Sequence, residues 1–287
     1  MKKYYTIIAF LFSFIISGQS FEKIKGNRIL EVTNIEIQPY RILEIGENFD
    51  VVLVEQEIPE VRIETDSNLQ KYINVDVSAE KLSILTSETF SRFKKLYVEI
   101  GYNKNLSKII AKGKLTMRGN VALVTERTEL VVSESANVNL NFKSTRVEIK
   151  GSGKSKITSN IVADSATIHA SNNTSINCEA STESLNTNIS EDGYLSITGT
   201  SAKSTFFLQD ESYLSAAELS SAIAVVSTKG NSKAYVKATD KLSLNASENS
   251  ETYVLSNPLI EVTAFNDLAK LQKVKKAPSN SLSRLLK

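Results

Sequence analysis

The 287-residue chain has no tryptophan, one cysteine, one histidine and four prolines. A lone cysteine has no partner for an intramolecular disulfide. Cys178 stands where the sequence pattern is apolar and reads as a small buried hydrophobe. As a nucleophile it would need a base, and with His169 as the sole histidine the pair is not expected to act. No proline falls between residues 60 and 257, a span in which strands can keep every N–H for pairing. Enzyme signatures are missing too: there is no G-x-x-x-x-G-K-[ST], no G-x-G-x-x-G after a strand, no H-E-x-x-H and no G-x-S-x-G. Apart from one stretch at the N-terminus, itself too short at about 13 residues, no apolar run approaches the roughly 20 residues that span a bilayer.

That exception is a signal-peptide pattern over residues 1–20. Lys2 and Lys3 precede an apolar core from Tyr4 to Ile16, and Ser17-Gly18-Gln19-Ser20 supply a cleavage site after Gly18 or Ser20. No cysteine stands there for a lipid anchor. The expected location is therefore exported: periplasmic, surface-bound or secreted. Without residues 1–20 the chain carries 32 bases and 32 acids. Such neutrality argues against nucleic-acid binding, which requires neutralising phosphates. Residues 264–287 hold six bases against Asp267 alone, and read as a basic tail or cap.

What is present is a 19-residue register from residue 128 to 254. Stepping from Ser133 gives Ser152, Ser171, Ser190, Gln209, Thr228 and Ser247. Leu130 leads to Ile149, Ile168, Thr187, Phe206, Val225 and Leu244. Val138 leads to Ile157, Ile176, Leu195 and Leu214, then slips to Ala234 and Tyr253. Two places on stand Leu140, Ser159, Cys178, Ile197, Ala216, Tyr235 and Val254. Apolar columns at a fixed short period mark a solenoid, whose repeats bury their apolar sides only by stacking. Each unit fits two or three short strands, tracing a perimeter of at most about 60 Å, with coils about 4.8 Å apart. The expected fold is all-β: a right-handed parallel β-helix over residues 106–263. With few glycines, its turns rely on Asn, Ser and Asp.

Residues 21–105 carry period-2 stretches such as Phe49-x-Val51-x-Leu53, Val61-x-Ile63 and Leu96-x-Val98-x-Ile100, separated by turn signals; Ser67–Tyr72 suits one helical turn. These strands are expected to close one end of the stack, because open ends invite aggregation. Leu259–Leu271, with Asn266-Asp267 as an N-cap, is expected to close the other.

Two outward clusters are candidates for chemistry. The register sets Glu191 against Asp210 and Asp192 against Glu211, about 4.8 Å apart. Four carboxylates at that spacing suit either a Ca²⁺ ion or a solvated acidic turn. On another face Lys150 and His169 share a column, beside Glu129, Glu148 and Asn188. A carboxylate pair is the core of glycosidase chemistry, but the aromatic and arginine ring that would hold a sugar is missing. No residue is assigned as catalytic, cofactor-binding or metal-binding. Rows of Ser and Asn offer hydrogen bonds to an extended ligand, or simply satisfy local backbone groups.

The run Ile45-Gly46-Glu47-Asn48-Phe49-Asp50-Val51-Val52-Leu53, then Val61-Arg62-Ile63-Glu64-Thr65-Asp66-Ser67-Asn68-Leu69 and Tyr72-Ile73-Asn74-Val75-Asp76-Val77, resembles the opening of the head GIN domain family. The resemblance spans roughly residues 25 to 260. Its members are called auto-transporter adhesins, so it implies a non-enzymatic adhesion module whose partner is a glycan or a surface protein. The coils are poorer in glycine than is usual for the family. Only about 25 residues follow them, too few for a membrane barrel of the autotransporter kind. A carbohydrate-active β-helix enzyme and a purely structural envelope protein are the alternatives.

Overall fold

The computed structural model describes residues 23–277. The signal-like segment 1–20 and residues 278–287 of the basic tail lie outside the described residues. The chain is a β-solenoid of about nine turns, with short strands in its N-terminal region.

The stacking is parallel and follows the 19-residue step through the middle of the chain. Ile157 pairs with Ile176 and Leu195 follows, while Ile168 pairs with Thr187 and Phe206 follows. Side chains alternate with period two, so an odd repeat would invert the faces of every coil unless the alternation resets. It resets at a corner. Ile161 and Ala163 face inward, Asp164 and Ser165 both lie at the surface, and Ala166, Ile168 and Ala170 face inward again. The hydrogen-bonded ladder runs through this corner, so Lys156–Ala170 and Ser175–Ile189 are each one bent 15-residue strand. Inward residues such as Ile157, Ile168, Ile176, Leu185 and Leu195 are fully buried, each stabilising by about 1.5–3 kcal/mol.

The step is not 19 throughout. A bulge between Ser196 and Thr198 lengthens it by one, so that Thr198 pairs with Glu218 and Phe206 with Val226. The next coil cuts its corner short: Ser221 pairs with Ala238 and Thr228 with Ala246. Four columns are therefore corrected. Lys229, whose N–H reaches the Leu208 carbonyl, replaces Thr228 in the polar column. Val226 replaces Val225 beneath Leu244; Ala234 is followed by Thr252; and Ala216 is followed by Val236 and Val254. Tyr235 and Tyr253 pair with each other on the outward face, in line with Ser196 and Ser215.

At the N-terminal end the stack is out of chain order. Ile42–Ile45 and Asp50–Glu55 form a coil beneath Lys108–Ala111 and Thr116–Gly119. The intervening chain runs to the end of the stack and adds a coil below, where Lys81–Thr86 pairs with Ile42–Ile45 and Leu96–Tyr102 with Asp50–Glu55. Antiparallel strands Glu60–Asp66 and Leu30–Glu36 extend that edge, and Ile73–Ser78 covers Lys81–Thr86. Between them Gln70–Tyr72 makes a single 3₁₀ turn.

The far end differs from expectation. Leu259–Phe265 is a strand paired with Lys241–Ala246, and Lys270–Lys273 is a strand paired with Glu251–Val254. Asn266-Asp267 is a turn rather than a helix cap. The stretch adds a coil instead of covering one, because Ile260 and Val262 keep the strand alternation of the coils below.

Candidate functional site

The acidic turns come first. At one edge of the solenoid each coil reverses through a residue in the left-handed region. Glu47, Gly113, Glu134, Gly153, Asn172, Glu191, Asp210, Gly230, Glu248 and Asp267 all have positive φ and are linked coil to coil by backbone hydrogen bonds such as Lys114 N–H to Glu47 O and Leu268 N–H to Glu248 O. Glu191 and Asp210 thus stack as the register requires, with Asp192 and Glu211 beside them, all four exposed. The Asp210 carboxylate accepts the Glu191 backbone N–H at 3.2 Å, and Asp267 accepts that of Glu248 at 3.1 Å. These acids answer backbone donors that the turn leaves open. Among the described residues no group of three or more His, Cys, Asp or Glu side chains is gathered to hold a metal ion.

The second cluster is assembled as a ladder of ion pairs. Lys150 Nζ lies 2.8 Å from both Glu129 and Glu148, and Lys108 lies 2.9 Å from Glu129. His169 Nε2 is 4.0 Å from Glu148, and Asn188 continues the His169 column. Partial burial alone would raise the Glu129 carboxyl, but hydrogen bonds from Lys150 and Lys108 outweigh it and hold the carboxyl below its usual range. Hydrogen bonds to Glu129 and Glu148 likewise push Lys150 up. A glycosidase acid needs the opposite, a carboxyl raised enough to keep its proton. Glu129 is therefore a poor acid and Lys150 a poor base.

Cys178 is 7% exposed, and burial pushes its thiol up to about 12. Ser159, beneath it in the same inward column, is a polar residue in an otherwise apolar row.

One outward feature escaped the sequence reading. Tyr194 and Tyr213 stack with ring centroids 5.4 Å apart, Tyr235 lies 5.8 Å from Tyr213, and Tyr253 stacks on Tyr235 at 4.5 Å. Tyr253 donates to Glu251 at 2.8 Å, and Glu251 also pairs with Lys233 at 2.9 Å and Lys270 at 3.1 Å. Hydrogen bonds from Lys233, Tyr253 and Lys270 draw the Glu251 carboxyl down to about 2. Bonding to that carboxylate, with burial, pushes the Tyr253 hydroxyl up to about 12. The 19-residue spacing of Tyr194 and Tyr213 was a usable signal; Tyr235 and Tyr253 stand in the neighbouring outward column, in line with Ser196 and Ser215, and the step that departs from 19 set them among inward residues.

The bent corner also shapes the surface. Small residues Thr125, Ser144, Ala163 and Thr182 floor an open trough of about 550 Å³ that crosses successive coils, with Lys143 and Asp164 among its rims. Thr125 and Ser144 hydroxyls lie 2.8 Å apart along that floor. Such a trough can accept an extended chain lying along the solenoid axis. Among the described residues no helix is long and apolar enough to cross a membrane.

Over residues 39–160 and again over 145–258 the chain matches the family described as "Putative auto-transporter adhesin, head GIN domain". Solved structures share the fold at low identity. A "putative adhesin" from Parabacteroides distasonis is 19% identical, with a TM-score of 0.67 over 88% of this chain and 100% of that one. Another, from Parabacteroides merdae, is 19% identical with a TM-score of 0.64 over 88% and 99%. A "putative lipid binding protein" from Parabacteroides distasonis is 20% identical, with a TM-score of 0.64 over 88% and 100%. Among curated proteins none matches the chain.

Proposed function

The chain belongs to the head GIN domain family, named for auto-transporter adhesins, and from that premise we propose that it is a non-enzymatic binding module exported to the bacterial cell envelope. The observation that carries this reading is the state of the polar flanks on either side of the left-handed turn. Their acids and bases are spent on one another, as at Lys108–Glu129–Lys150–Glu148 before the turn and Lys233–Glu251–Lys270 after it. A long, rigid flank of paired charges and hydroxyls suits recognition of an extended polar partner, by many weak contacts at the coil spacing of about 4.8 Å. The ligand class we favour is a glycan strand, and the trough floored by Thr125, Ser144, Ala163 and Thr182 is its proposed seat. The signal-like residues 1–20 support export.

A glycan array probed with the exported portion, with and without Ca²⁺, tests the proposal. Binding that is unchanged by chelation and weakened by Thr145→Tyr, which narrows the trough from its exposed rim, is the expected result. Depolymerisation of any bound polysaccharide would overturn the non-enzymatic reading. Failure to bind any glycan or matrix protein would instead favour a structural envelope role.

A further inference from the structure

Leu30–Glu36 is the outermost strand of its sheet at the N-terminal end, and one of its edges is unused. Ser67 N–H donates to the Ile29 carbonyl at 2.8 Å, and Ile37 N–H to the Pro59 carbonyl at 3.4 Å. In an antiparallel ladder such bonds recur at every second residue. Glu31, Thr33 and Ile35 therefore turn both backbone groups toward Glu60–Asp66. Leu30, Val32, Asn34 and Glu36 turn theirs the other way, where no described strand pairs with them. An open row of donors and acceptors is a template for another strand.

The side chains decide which strand. Other free edges carry guards: Ile73–Ser78 shows Asn74, Asp76 and Ser78 to solvent, and Lys270–Lys273 has a lysine at each end. Antiparallel pairing of Lys270–Lys273 with its own copy would set Lys270 against Lys273. Leu30–Glu36 has no such guard. Ile29 is 65% exposed, Val32 47% and Leu30 36%, an apolar run beside the open edge. The charges there are also unbalanced. Glu36 stands opposite Glu60, a like pair that weakens the ladder. Among the described residues neither has an ion-pair partner, and Arg28, before the other end of the strand, has none.

We propose that this edge pairs with the same edge of a second copy, antiparallel about a two-fold axis at Val32. Val32 then faces the Val32 of the other copy, and Leu30, Val32 and Asn34 supply the hydrogen bonds. Leu30 faces Asn34 and Glu31 faces Thr33, so no acid meets an acid directly across the new ladder. Arg28 of each copy comes beside Glu36 of the other and answers the repulsion between Glu36 and Glu60. The two N-terminal sheets become one, and the dimer carries two troughs for a repetitive partner.

Sedimentation velocity of the exported portion over a concentration series tests this, with a dimer expected. Val32→Pro removes an N–H that faces only the open edge and spares the bonds to Glu60–Asp66. It should give a monomer with an unchanged circular-dichroism spectrum. Arg28→Glu should raise the dimer dissociation constant by about tenfold or more, and adding Glu36→Arg should restore pairing. Cys178 is the only cysteine and is buried, so an introduced thiol reports alone. Residues opposed in a hydrogen-bonded pair lie about 5.5 Å apart at Cα, within reach of a disulfide. Val32→Cys should therefore cross-link on mild oxidation, and Asn34→Cys should not. A monomer at every concentration would overturn the proposal, as would a dimer indifferent to Val32→Pro or one cross-linked through Asn34→Cys instead.

Discussion

At the scale of single residues, the groups that looked most reactive are the most thoroughly occupied. Glu251 is bridged by Lys233, Lys270 and Tyr253, and its carboxyl lies near 2 against an unfolded value of about 4.3. The folded state thus binds that proton less readily than the unfolded chain does. Its stabilising contribution is complete above about pH 5 and fades as pH falls through 2. Glu251→Gln should lower the melting temperature at pH 7 by about 2–4 °C, for a loss of about 1 kcal/mol. Melts repeated at lower pH should show the gap between the two proteins closing, and a gap that persists at pH 2 would contradict the assignment. Cys178 makes a separate case. A thiol pushed up to about 12 inside the core should resist a disulfide reagent at pH 8 in the native protein and react within seconds in denaturant. Rapid labelling without denaturant would mean that the coil opens at Ser159–Cys178.

At the scale of the element, the coil is decided by its left-handed turn and its bent corner. Glu134 holds φ 62° between Gly113 and Gly153, a conformation that strains a long side chain and suits Asn better. Glu134→Asn should therefore stabilise by roughly 0.5–1 kcal/mol. Gly153→Ala should destabilise by about 1–3 kcal/mol, because a Cβ there would lie 2.8 Å from the Glu134 carbonyl oxygen. Denaturant titration of both variants checks the pair, and equal midpoints would refute the strain argument. The same elements show what could be read in advance. Columns such as Val138, Ile157, Ile176 and Leu195 were legible because contiguous coils of equal length put like residues at one spacing. The shift after Thr198 was not, since one residue gained at a bulge and others lost at the next corner leave short windows of sequence unchanged. Nor was the seating of Ile42 against Lys108, because the chain between them leaves the stack and returns. The candidate acids were placed correctly by register. Their pairing with Lys150, or with a backbone N–H, depends on side-chain reach that periodicity does not encode.

For the whole molecule, each interior coil touches chiefly its two neighbours, so the length of the stack is adjustable while its phase is not. Ser171 and Ser190 begin equivalent coils, and removing residues 171–189 joins Ala170 directly to Ser190. Every inward column is then continued: Ile157 meets Leu195, Ser159 meets Ile197, and Ile168 meets Phe206, pairs one coil further apart in the present register. The shortened chain should fold, with the same circular-dichroism signal per residue and a lower melting point, since one coil interface is lost. Removing residues 171–180 instead would join Ala170 to Ser181 and skip the left-handed turn at Asn172. Strand Lys156–Ala170 would then run without reversal into the corner at Glu183, placing outward residues such as Asn186 and Asn188 where Ile176 and Cys178 now pack. That chain should be insoluble or lack a cooperative melt. If both deletions fold equally well, stability does not come from stacked columns; if neither does, the coils are not interchangeable units. Tolerance of the 19-residue deletion alone would tie the register read from the sequence to the physical unit of the fold.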